Sequence, residues 1–94
     1  MTNISQLDEA TRNDIIQRLK RIEGQARGIQ RMMGEERDCQ EVLHQIVAMR
    51  AATHALGMQL LHEFVVHCMQ HSDDTASLEK VVSQMIEAVS QLTR

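Results

Sequence analysis

Ile15, Leu19, Ile22, Ala26, Ile29 and Met33 recur at alternating steps of four and three, the spacing of a heptad seam on one helix face. That stretch predicts a helix over about 10–33, stopped by Gly34. A second helix over about 39–70 follows, opened by Asp38 with Glu41 three residues on, a capping-box arrangement. It runs through Val42, Ile46, Met49, Leu56, Leu60, Leu61, Phe64 and Cys68. After a loop at 71–74, Leu78, Val81, Val82, Met85, Ile86, Val89 and Leu92 form the apolar stripe of a third helix over about 75–92. No proline interrupts any of these runs.

Helix lengths then constrain the assembly. At 1.5 Å per residue the first two helices are on the order of 35–45 Å long and the third only about 27 Å. One short helix cannot cover the seam of a long hairpin. The chain has 94 residues and a single aromatic, Phe64, so its own core is thin. The expectation is an all-α protein, one domain over 1–94, whose three-helix protomer pairs with a second copy into an antiparallel four-helix bundle.

Net charge is −3, but it is unevenly spread. Between Arg12 and Arg37, seven basic residues face four acids; from Ala51 onward, two face five. One half can meet phosphates while the other stays solvated. No segment is apolar enough to span a bilayer, and nothing at Met1–Leu7 reads as a secretion signal. The expected location is the reducing cytoplasm, where two cysteines point to reactivity or metal binding rather than to a structural disulfide. With no nucleotide loop, carboxylate pair or cofactor motif, an enzyme is not expected.

Cys39 and Cys68 stand 29 residues apart on one helix, within about 20° of the same face but about 43 Å apart along the axis. They cannot meet in one chain. Antiparallel packing of this helix against its mate brings Cys39 of one protomer to Cys68 of the other, twice per dimer. Cys39 lies in a first turn, where the helix dipole favours a thiolate; Arg37 assists and Asp38 and Glu41 oppose. His62, His67 and His71 surround Cys68, but His67 points about 100° away from it, and all three read first as solvated residues near a helix end. His44 and His54 read as polar-face residues.

Arg18-Leu-Lys-Arg21-Ile22-Glu-Gly24-Gln25-Ala-Arg-Gly28-Ile29 resembles the first-helix signature of the copper-sensitive operon repressor family of bacterial regulators. Asp38-Cys39-Gln-Glu-Val42-Leu43-His-Gln45-Ile46-Val-Ala48-Met-Arg50-Ala51 resembles the start of its second helix. The match runs from about Asp14 to Cys68 and is specific as a set. It implies helical dimers that pair into flat tetramers and repress transcription without a helix-turn-helix or zinc finger. It also implies operator contacts at Arg18 and Arg21. Gln25 lies next along their face, with Arg50 joining from the second helix.

Copper(I) sensors of the family carry Cys, His and Cys at the positions of Cys39, Phe64 and Cys68. Here the imidazole is replaced by Phe64. The nickel and cobalt pattern, with histidines at the last two positions, and the formaldehyde pattern, with proline where Thr2 stands, are both absent. Two thiols without the histidine resemble the sulfurtransferase-repressor branch, which senses persulfides and polysulfides. The resemblance therefore implies a repressor, free of any cofactor, released when Cys39 and the partner's Cys68 are joined by di- to tetrasulfide links. The alternative is a copper(I) repressor using the same two thiolates, with His71 or His67 as a replacement ligand. A helical interaction module with no DNA role is the reading from another class; the basic face at Arg18 and Arg21 argues against it.

Overall fold

The computed structural model describes residues 3–71 and 75–91. They form one turn of 3-10 helix, Ile4–Gln6, and three α-helices: α1, Glu9–Met33; α2, Cys39–His71; and α3, Thr75–Ser90. Among the described residues there is no strand, so the protein is all-α. The loop residues 72–74 and the expected end of the third helix at Leu92 lie outside the described residues.

Local chemistry sets the helix ends. Asn3 Oδ1 accepts from the Ser5 N–H at 2.9 Å and starts the 3-10 turn. Asp8 Oδ1 accepts from the Thr11 N–H at 2.8 Å, satisfying one of the free donors that open α1. At the other end Gly34 does stop the helix, but by a different device from the usual left-handed cap. Its φ and ψ are −89° and −2°, and its N–H donates to the Arg31 carbonyl at 3.0 Å. The last turn tightens; glycine's conformational freedom is not used.

The capping box expected at α2 is only half formed. The Gln40 N–H reaches Asp38 Oδ1 at a long 3.4 Å. The Glu41 carboxylate turns instead to Arg37, four residues back, and is engaged by both its Nη2 and its Nε. A full guanidinium is a better partner for a carboxylate than one amide N–H.

The core gathers where the chain start meets the helices. Leu7, Ile15 and Phe64 are buried together, with Leu56, Leu60 and Met85 packed against them. Leu7 precedes the Asp8 cap, so fixing the cap also drives Leu7 under Phe64. Little else is covered. No described side chain is fully buried, and Leu19 and Met33 of the α1 seam are 48% and 72% exposed. The protomer is flat, 58 × 28 × 13 Å. Its α2 packs on both α1 and α3, and no comparable contact joins those two. Leu43, Ile46, Val47, Met58 and Ile86 stay exposed on α2 and α3.

Candidate functional site

Cys39 is the first residue of α2 and is exposed; Cys68, one turn before its end, is buried. The helix between them is continuous, so the two sulfurs are about 43 Å apart in one protomer. Among the described residues, no three of the His, Cys, Asp and Glu side chains lie close enough to hold one metal ion. The thiols therefore do not come together within one chain, as the sequence spacing requires.

Around Cys39, Asp38 and Glu41 were expected to oppose a thiolate and Arg37 to favour it. The Arg37 guanidinium instead bridges Glu35, at 3.3 Å, and Glu41. Hydrogen bonds from Arg37 hold the Glu41 carboxyl below its ordinary value, and Arg37 is raised in turn by the same bonds. The Arg37 guanidinium is thus paired with two carboxylates.

Phe64 and Cys68 lie one turn apart, 4% and 8% exposed. Phe64 has no lone pair to offer a metal, and its ring packs in the core cluster with Leu7 and Ile15. His62 is exposed and His67 half-buried. The side chain of His71 lies outside the described residues.

On the other flank, Arg18 and Arg21 are exposed on α1, and Gln25 is half-buried with its Oε1 unpaired. Arg50 is exposed on α2. The hairpin is antiparallel, and Gln59 of α2 meets Asp14 of α1. Nine residues back along α2 and nine forward along α1, Arg50 is level with Glu23, between Arg21 and Gln25 along the axis. Four candidate DNA-binding side chains thus share one stretch of the hairpin.

Asp14 and Gln59 were not singled out from the sequence. Gln59 Nε2 donates to Asp14 Oδ2 at 2.6 Å, and Arg18 Nε reaches the same oxygen at 3.4 Å. The Gln59 bond first, then Arg18 and Arg21 nearby, hold the Asp14 carboxyl below its ordinary value against the opposing effect of desolvation. The Asp14-to-Arg18 spacing of four is a visible signal for that pair. Nothing in the pattern marks Gln59, which lies between Leu56 and Leu60 on an otherwise apolar stretch.

The described residues thus form an all-α hairpin with a basic first helix and one thiol near each end of the second. Residues 11–93 match the family model for metal-sensitive transcriptional repressors. The chain is 35% identical over 83 residues to the copper-sensing transcriptional repressor CsoR of Bacillus subtilis (strain 168), covering 88% of this chain and 82% of that one. It is 41% identical over 58 residues to the copper-sensing transcriptional repressor RicR of Mycobacterium tuberculosis (strain ATCC 25618 / H37Rv), covering 62% and 60%. The chain belongs to the metal-sensitive transcriptional repressor family; it is a repressor and not an enzyme. Among the described residues, no helix is long and apolar enough to cross a membrane.

Proposed function

We propose that this repressor binds operator DNA through Arg18, Arg21, Gln25 and Arg50, and leaves it when copper(I) is held between Cys39 of one protomer and the partner's Cys68. The observation that carries the reading is the placement of both thiols on one continuous helix, about 43 Å apart by its rise, where only a second antiparallel copy closes the site. Soft thiolates suit copper(I), which accepts two sulfur ligands, so loss of the imidazole at Phe64 leaves a workable donor set. The copper-sensing relatives favour this inducer over persulfide, reversing the order that the thiol pattern alone suggested. The assembly is a dimer at least, with a dimer of dimers as the larger form, working in the cytoplasm.

Persulfide sensing is the second reading, and Phe64 is the observation that favours it. A buried phenyl ring one turn from Cys68 supplies no metal ligand but leaves a thiol able to act as resolver. In that chemistry the Cys39 thiolate takes the sulfane sulfur of a low-molecular-weight persulfide and releases its thiolate. The partner's Cys68 thiolate then attacks the Cys39 sulfur and expels hydrosulfide, leaving a disulfide; retained sulfur atoms give the longer links.

Intact-protein mass measurement and DNA-binding anisotropy, after copper(I) and separately after glutathione persulfide, test the two. Copper(I) reading: DNA release at one ion per thiol pair, reversed by a copper(I) chelator, with the covalent mass unchanged. Release only by persulfide, with a covalent dimer shifted by whole sulfur atoms, replaces it with the second reading.

A further inference from the structure

Two donors converge on one oxygen of Asp14. Gln59 Nε2 lies 2.6 Å from Oδ2 and Arg18 Nε lies 3.4 Å from it. The bond from α2 is therefore the close one, and the ion pair within α1 is loose. Asp14 and Arg18 are about half exposed, so both solvent and a phosphate can reach the guanidinium. The amide of Gln59 is committed in one direction only: its Oε1 is buried without a partner. A side chain anchored at one end and unsatisfied at the other is set by the position of its helix. That helix is α2, in which Gln59 stands 20 residues after Cys39 and nine before Cys68.

We propose that Gln59 is a positioning residue for DNA binding: by occupying Asp14 it keeps Arg18 available to phosphate, and its withdrawal lets Asp14 close on Arg18. This rests on the operator reading above, because it needs Arg18 to meet the DNA backbone. A carboxylate freed of Gln59 takes up the guanidinium through two parallel N–H···O bonds, the favoured geometry of an arginine–carboxylate pair. The same guanidinium then no longer neutralises a phosphate. Any shift or rotation of α2 when its two thiols are bridged moves Gln59 relative to α1. The chemistry at the helix ends is thus read at Arg18 without any contact between the sensing thiols and DNA.

The test uses the full reduced protein and a duplex that it selects from a random pool. Binding is followed by anisotropy across a salt series, with circular dichroism as the check on folding. The slope of log affinity against log salt counts phosphates neutralised. Arg18→Ala should reduce its magnitude by about one. Gln59→Met, which keeps the size and removes the donor, should reduce it by nearly as much although Arg18 is present. Asp14→Asn should keep the full slope, and Gln59→Met with Asp14→Asn should restore it. Restoration of function by a second loss is the outcome that a merely structural glutamine cannot give. If Gln59→Met folds poorly, Gln59→Ala, a stronger helix former, carries the same expectation. A full slope in Gln59→Met beside a reduced one in Arg18→Ala overturns the Gln59 role and leaves the operator reading standing. A double variant no better than Gln59→Met also overturns it. An unchanged slope in Arg18→Ala removes both.

Discussion

Phe64 and Cys68, one turn apart on α2, are buried on the same side of the helix, whereas Cys39 at its other end is open to solvent. The two thiols are therefore unequally accessible in the protomer.

Alkylation should follow that asymmetry. Iodoacetamide under native conditions should label Cys39 well before Cys68, and denaturant should bring the two rates together. Peptide mass mapping over time reads both. Phe64→Ala should accelerate labelling of Cys68 and cost about 3–5 kcal/mol of stability, because the ring is the centre of the core with Leu7 and Ile15. Equal native rates would mean that the burial of Cys68 does not govern its access.

Restoring the imidazole should separate metal affinity from stability. In Phe64→His a ring nitrogen stands one turn from Cys68, and copper(I) affinity in a chelator competition should rise about tenfold or more, equivalent to about 1.4 kcal/mol. The same change places a polar ring in the core, at a cost of about 1–3 kcal/mol, so the metal-free variant should melt lower. Added copper(I) should then recover more melting temperature in the variant than in the unaltered protein.

Acid should loosen the start of α1. Bonding to Thr11, through side chain first and backbone second, holds the Asp8 carboxyl below its ordinary value of 3.8. A carboxylate depressed in the folded state contributes stability that is complete above its unfolded value and is lost as pH falls through the folded one. The melting temperature should thus stay level from neutral pH down to about 5 and fall below about 4. Asp8→Asn keeps a good cap but removes this titration, so its curve should be the flatter of the two. Asp14 and Glu41 shift in the same direction and will leave some acid dependence in the variant.

The first and third helices were legible from their apolar stripes and the second from its long proline-free apolar run after the Asp38 start signal, and the impossibility of joining Cys39 to Cys68 in one chain followed from spacing alone. What escaped was decided by side-chain partners. Glu41 chose Arg37 over the Asp38 amide, and Arg37 chose two carboxylates over the Cys39 thiol. Both choices are local contests between charges that the sequence places within four residues of one another. Leu7 had no periodicity to mark it, since one apolar residue before a helix cap belongs to no stripe. Gln59 was invisible for a different reason: its partner Asp14 is 45 residues away, and only the register of the hairpin brings them together.

Assembly is the remaining expectation, and the exposed face of α2 offers a clean test of it. Leu43 is 54% exposed and Val47 63% exposed within the protomer, one turn apart beyond the buried Val42. In a monomer, a charge at either position would sit in water and change stability by no more than about 0.5 kcal/mol. Against a second copy the same charge would be buried without a partner, and across a two-fold axis it would be introduced twice. Val47→Glu should therefore dissociate the protein, and because the protomer has so thin a core, helical content should fall together with sedimentation coefficient on dilution. Val47→Ala, which trims the contact without charging it, should weaken assembly while keeping the helices. Since the thiols of one chain lie about 43 Å apart, the dissociated Val47→Glu variant should also lose the high-affinity copper(I) site while both cysteines remain free to alkylate. A folded Val47→Glu monomer that binds copper(I) as tightly as the unaltered protein would rule out a site shared between subunits.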